Sequence, residues 1–66
     1  MGSEIVATHS VNGQAVVVYG CWDEDTPDEQ YDFYDIYNTA GDCLNIGEPF
    51  YDVPSPLMIL EFLNAA

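Results

Sequence analysis

Alternation of apolar and polar residues predicts a β-hairpin in the first third of the chain. Residues 4–11 alternate, which places two sets of side chains on opposite faces of a strand: Ile5, Ala7, His9 and Val11 on one, and Val6, Thr8 and Ser10 on the other. The dipeptide Asn12-Gly13 follows, and both residues tolerate the positive φ that a two-residue hairpin turn requires. Residues 14–22 form the returning strand, and the apolar run at its centre (residues 16–19) is typical of a central strand.

The rest of the chain predicts one or two further strands and a helix. Residues 31–37 are aromatic and favour a strand with apolar side chains on both faces, so a bulge and a strand covered on both sides are open alternatives. Residues 43–46 favour a short fourth strand. Ser55 and Pro56 are typical of a helix start, because Ser caps free N–H groups and Pro fits the first helical position. We therefore expect an α+β fold in one domain of residues 1–66: a small antiparallel sheet of three to four strands over residues 4–46, with one C-terminal helix, residues 55–64, packed on one face (ββββα).

The net charge indicates more about function than any motif in the sequence. The chain has no Lys or Arg and 12 Asp or Glu, which gives a formal net charge of −12. An ordinary domain is about a quarter charged with both signs present. A compact state this negative is destabilised by self-repulsion, so the bias indicates selection for a strongly basic partner surface.

Length and composition limit the class of protein. The 66 residues are 48% hydrophobic and 14% aromatic, which is too apolar for a disordered acidic tail, so we expect a folded domain with a thin core. No apolar run reaches the roughly 18 residues of a membrane helix, and an anionic membrane surface would repel the chain. The first residues resemble no secretory signal, so the expected location is cytoplasmic.

Acidic and aromatic residues are concentrated in one segment, and we interpret it as the binding site for a basic partner. Carboxylates spaced among planar rings resemble phosphates spaced among bases. The alternatives are an acidic surface that serves solubility, as most charge runs do, and adaptation to high salt. The predicted partner-binding residues are Asp23, Glu24, Asp25, Asp28, Glu29, Asp32, Asp35, Trp22 and Tyr34, helped by Asp42, Glu48 and Asp52.

The acidic segment does not match a calcium-binding loop. An EF-hand needs oxygen ligands at loop positions 1, 3 and 5, Gly at 6 and Glu at 12. A loop beginning at Asp23 has Pro27 at position 5, Asp28 at 6 and Tyr34 at 12. We expect no cofactor and no dedicated metal site.

The cysteines and the histidine indicate no catalytic chemistry. Cys21 and Cys43 are expected to be two reduced, partly buried thiols, with a disulfide between them as the alternative. Together with His9 they fall short of a structural zinc site. His9 has no nucleophile pattern beside it, and the pair Asp32 and Asp35 would need a substrate cleft for which so small a domain has little room. We therefore expect no enzymatic activity.

The predicted helix is apolar almost all round, with only Glu61 and Asn64 polar. One stripe must cover the sheet. The second stripe is covered either by the loop of residues 47–54, through Phe50 and Tyr51, or by a second copy in a homodimer formed through residues 57–63. A monomer and a homodimer are thus both open.

Small size, extreme acidity and a β-rich core with one helix resemble the nucleic-acid mimics of phages and mobile elements. These include anti-restriction proteins, uracil-DNA glycosylase inhibitors and, closest in size, anti-CRISPR proteins. The resemblance lies in composition and size across the whole chain, not in an aligned motif. It implies an inhibitor that blocks DNA binding by a defence complex, specifically a type I CRISPR-Cas surveillance complex, in the host cytoplasm.

Two functions are therefore expected from the sequence. In the first, the protein mimics DNA, binds a basic nucleic-acid-binding protein such as a Cas effector subunit, and contacts neither nucleic acid nor membrane directly. In the second, it is a small acidic interaction module or antitoxin-like subunit that binds through its apolar C-terminal helix. Salt separates them, because screening weakens exposed charge pairs and not buried apolar contacts.

Overall fold

The computed structural model describes residues 2–23 and 31–65 and contains three strands and one helix in these ranges. The strands pair antiparallel in the order β1-β2-β3, so β2 is central. The predicted α+β fold, an antiparallel sheet with one C-terminal helix, is confirmed. The elements are β1 (Gly2–Val11), β2 (Gln14–Trp22), β3 (Phe33–Asn38) and α1 (Pro56–Ala65).

The first hairpin forms as the sequence predicts, with one irregularity. Asn12 and Gly13 have φ angles of 55° and 76°, the left-handed values that join two strands in a tight turn. The pairing shifts between Ile5 and Ala7, which leaves an extra residue in β1. The prediction that Ile5 shares a face with Ala7 is therefore wrong, because their partners Tyr19 and Val18 are consecutive in β2 and point to opposite faces.

The core lies between one face of the sheet and α1. Its buried apolar side chains come from all three strands and the helix, and α1 packs against β1. Burial of one such side chain stabilises the fold by about 1.5–3 kcal/mol, so a cluster this small leaves little margin. The buried members are Val11, Val16, Val18, Ile36 and Ile59.

An irregular segment takes the place of the predicted fourth strand beside β3. Residues 43–46 form no strand, and Cys43 makes only an isolated bridge to Tyr37. Leu44 donates its N–H to the carbonyl of Ile36 at 2.8 Å. The Ile36 N–H is bound by a side chain, the Asn45 carboxamide, at 3.0 Å. The free edge of β3 is thus hydrogen-bonded without a regular strand.

The helix begins as predicted and is only partly covered by the preceding loop. The Met58 N–H donates to Ser55 Oγ at 3.2 Å, which caps the first turn. Phe50 packs edge-to-face on Phe62 with ring centroids 5.5 Å apart, so this residue covers part of the helix as one alternative expected. Tyr51 is exposed and does not.

No helix in the part of the chain that the structure describes is long and apolar enough to cross a membrane.

Candidate functional site

The candidate site is the end of the sheet where β1 begins, β2 ends and β3 begins, which we call the acidic end. Register places Gly2 opposite Trp22 and Cys21 opposite Phe33, so these strand ends lie side by side. The described carboxylates at this end are Glu4, Asp23 and Asp32.

Two predicted site residues are held together by a hydrogen bond from a backbone N–H to a carboxylate. The Asp23 N–H donates to Asp32 Oδ2 at 2.9 Å, although nine residues separate them in sequence. The Asp32 N–H in turn donates to the Cys21 carbonyl at 2.8 Å. Both side chains are exposed, so two carboxylates are displayed close together at the acidic end.

Four predicted site residues lie outside the described residues, so their assignment stays a prediction. They are Glu24, Asp25, Asp28 and Glu29.

Three aromatic rings form a row on the helix-bearing face near the acidic end. The Tyr31 ring centroid lies 5.9 Å from that of Trp22 and 5.7 Å from that of Tyr34. All three are half-buried, so ring surface remains accessible beside the carboxylates. The predicted pair of Trp22 and Tyr34 is thus connected through Tyr31.

The structure adds Glu4 and Tyr31 to the predicted set. The Tyr31 hydroxyl donates a hydrogen bond to the Glu4 carboxylate, and this bond raises the pKa of Tyr31 above its ordinary value. Gly20 makes room for the ring, because a Cβ at that position would lie 2.6 Å from the Tyr31 ring. A glycine inside a strand often marks such a close approach, so Gly20 was the available signal in the sequence.

Asp35 lies on the opposite face of the sheet from Tyr34 and the aromatic row. Neighbouring residues in a strand point to opposite faces, and Asp35 pairs with Tyr19 while Tyr34 pairs with Gly20. Its Oδ2 lies 3.8 Å from Cys21 Sγ. The structure therefore divides the predicted site between two faces.

Both cysteines are free thiols, in agreement with the expectation from the sequence. Cys21 is buried and Cys43 half-buried. Burial raises the pKa of the Cys21 thiol, and the nearby Asp35 carboxylate raises it further because two negative charges repel. Both effects favour the neutral thiol of Cys21 over the reactive thiolate.

Exposed negative charge is the dominant chemical property of the described surface. Seven of its eight carboxylates are exposed, with Asp35 as the half-buried exception, and the sequence has no Lys or Arg to neutralise them. The eight described carboxylates over the longest dimension of 36 Å give one charge per 4.5 Å, against one per about 1.7 Å of duplex DNA. Among residues 2–23 and 31–65, no group of three or more His, Cys, Asp or Glu could hold a metal ion.

No protein-family model, curated protein or solved structure matches the chain. The functional argument therefore depends on its own residues.

Proposed function

We propose that the protein is an inhibitor that mimics DNA, occupies the basic nucleic-acid-binding surface of its target and excludes DNA from it. The observation that supports this most is the exposure of seven described carboxylates in a chain without Lys or Arg. A surface that serves only solubility does not need to lose every basic residue, because a net charge of about 2–8 in magnitude is enough for a small domain, and this chain carries −12. A surface that competes with phosphates gains from that loss, because each basic residue would repel the target.

The acidic end is the part of the surface that we assign to the target. Asp23 and Asp32 would accept hydrogen bonds from Lys or Arg in place of phosphates. Trp22 and Tyr34 would offer ring faces to arginine side chains. Attraction between opposite charges speeds association, and the association rate should fall steeply as salt rises.

The target class that we propose is a defence complex that binds DNA, with a type I CRISPR-Cas effector as the specific candidate. Such a target carries a positively charged channel for nucleic acid. An inhibitor of this kind, encoded by a phage, would act in the cytoplasm of the infected host.

The test is affinity capture from a nuclease-treated host lysate, washed at about 50 mM and about 500 mM salt, with bound proteins identified by mass spectrometry. We expect a DNA-binding complex that is retained at low salt and lost at high salt. Added duplex DNA should compete with the protein for the captured complex. A partner that binds DNA and the protein at the same time would contradict the proposal.

Matched variants distinguish binding through a defined contact surface from a general effect of net charge. Asp28, Glu29 and Asp32 changed together to Asn, which at position 32 keeps an acceptor for the Asp23 N–H, should leave the fold intact and weaken inhibition by about tenfold or more. The variant with Asn at positions 42, 48 and 52, which are predicted only to assist, loses the same charge and should weaken inhibition less. Equal losses would show that only net charge matters and that Asp28, Glu29 and Asp32 form no defined contact surface.

A second function, an interaction module that binds through α1, is favoured by one observation. Leu57 and Met58 remain 62% and 42% exposed, so the helix presents apolar surface to solvent. This function predicts a partner whose binding survives the high-salt wash and is lost when Leu57 is replaced by a charged residue. The two salt washes of the capture experiment therefore distinguish the two functions.

A further inference from the structure

The face of the sheet opposite α1 contains an accessible hollow. We call this the open-face groove and define it by Val17, Tyr19 and Cys21 of β2 with Phe33, Asp35 and Tyr37 of β3. A hollow of about 520 Å³ lies against Tyr19, Cys21 and Tyr37. A second, of about 350 Å³, lies against Cys21, Phe33 and Asp35. Ser3 and Cys21 line both hollows, so the two adjoin.

Two tyrosines form the wall of the larger hollow. Tyr19 and Tyr37 meet edge-to-face, with ring centroids 5.1 Å apart and an interplanar angle of 74°. Both are half-buried, so each is fixed by packing and still accessible from the groove. Burial raises the pKa of Tyr37, and Cys43 and Asp35 raise it further, so its ring stays neutral at physiological pH. Neutral aromatic faces in fixed positions are the surfaces on which cations stack.

Asp35 places a half-buried negative charge at the same groove without a cation beside it. It lies directly opposite Tyr19 in the sheet. Its two hydrogen-bond contacts are to neutral groups and are long: 3.4 Å from Asn45 Nδ2 and 3.8 Å from Cys21 Sγ. The chain has no Lys or Arg, and His9 lies on the other face, where it pairs with the core residue Val16.

We propose that the open-face groove binds an arginine side chain of a basic protein partner, with the guanidinium on Asp35 and its plane against the tyrosine wall. Arginine fits better than lysine, because its planar group both pairs with a carboxylate in two-point geometry and stacks on rings. This proposal rests on the proposed function for the identity of the partner. It adds a second contact, on the face opposite the aromatic row.

A second copy of the chain is the competing occupant of the groove. Each copy has a net charge of −12 and brings no Lys or Arg to place beside Asp35. Pairing two such faces would bury like charges against each other. Charge complementarity therefore favours a cationic segment of another protein.

The test is a titration of the isotope-labelled protein, followed by NMR, with two short neutral-ended peptides that differ only in having one arginine or one lysine. We expect saturable shifts at Tyr19, Asp35 and Tyr37, larger for the arginine peptide. Asp35→Asn, which keeps the shape, should weaken binding by about fivefold or more, and Glu61→Gln, which removes one exposed charge on α1, by less than about twofold. Tyr37→Leu should remove the preference for arginine over lysine.

Three results would overturn the proposal. One is equal shifts with both peptides, spread over all the acidic surface, which would indicate general charge attraction. Another is equal effects of Asp35→Asn and Glu61→Gln. The third is movement of the open-face resonances when the protein alone is diluted, which would show that a second copy occupies the groove.

The titration needs no target protein, so its failure is distinguishable from failure of the proposed function. Localised arginine binding with no salt-sensitive partner in the lysate would support the groove proposal and contradict the proposal of a DNA mimic. A salt-sensitive DNA-binding partner with dispersed arginine shifts would do the reverse.

Discussion

The side-chain carboxamide of Asn45 makes the hydrogen bond to the Ile36 N–H that a neighbouring strand would otherwise make. Its Oδ1 accepts the Ile36 N–H at 3.0 Å, and its Nδ2 donates to the carbonyl of Glu48 at 3.1 Å. Asn45 is only 2% exposed. This buried side chain therefore helps to join the edge of β3 to the loop that precedes the helix, beside the two backbone hydrogen bonds between Tyr34 and Phe50.

We expect Asn45→Ala to be among the most destabilising single substitutions. It leaves the Ile36 N–H and the Glu48 carbonyl without their partner, which should lower the free energy of unfolding by about 2–3 kcal/mol. Urea denaturation measures this, with Asn64→Ala at the exposed end of α1 as the control, expected to change the free energy by less than about 0.5 kcal/mol. Equal values for the two variants would show that Asn45 does not hold the edge.

This contact also explains how far the fold could be predicted from the sequence. The hairpin was predictable because Asn12-Gly13 is a local turn signal. The fourth strand was not, because residues 43–46 have strand-like composition while a side chain supplies one of the hydrogen bonds. Nothing in the alternation of residues 4–11 signals the bulge that sends Ile5 to the open face.

The candidate site was predictable in composition and not in geometry. Counting carboxylates finds the most charged segment of the sequence, and its assignment as the contact surface stays a prediction. The assignment of Asp35 to one surface with Tyr34 required the register of β3, which apolar residues on both faces left ambiguous. Glu4 joins the acidic end only because β1 pairs with β2, a contact between residues far apart in sequence.

Gly20 should be intolerant of even a methyl group. Ala normally stabilises a strand relative to Gly by about 0.5–1 kcal/mol. Here a Cβ would lie 2.6 Å from the ring of Tyr31, so Gly20→Ala must displace that ring and should destabilise the fold by about 1–3 kcal/mol.

A double-mutant cycle isolates this contact. In a Tyr31→Ala background the obstacle is absent, so Gly20→Ala should become neutral or stabilising. Free energies of unfolding for the four proteins give the coupling directly. If Gly20→Ala costs the same with and without the Tyr31 ring, the close approach is not the reason for the glycine.

Cys21 should react more slowly than Cys43 with a small alkylating reagent. Burial and the nearby Asp35 raise the pKa of Cys21, and only the thiolate reacts. Each thiol is followed alone, Cys21 in the Cys43→Ser variant and Cys43 in the Cys21→Ser variant, at about pH 8. Asp35→Asn should speed the reaction of Cys21, whereas Glu61→Gln should leave it unchanged. Faster alkylation of Cys21 than of Cys43 would contradict the packing.

The same thiol predicts the direction of a pH effect on stability. The pKa of Cys21 is raised in the folded state, so the fold favours the neutral thiol. That contribution is complete below the ordinary value of 9.0 and is lost as pH rises through the raised value. Stability should therefore fall above about pH 9, and less steeply in Cys21→Ala. Identical slopes for the two proteins would assign the fall to other groups.

Two apolar residues of α1, two positions apart, should respond in opposite ways. Ile59 is fully buried in the core, so Ile59→Ala should cost about 2–4 kcal/mol. Leu57 is 62% exposed, so Leu57→Gln should change the free energy of unfolding by less than about 0.5 kcal/mol. Urea denaturation measures both. If Leu57→Gln instead destabilises the protein in a way that depends on protein concentration, the helix is covered by a second copy, because dissociation then accompanies unfolding.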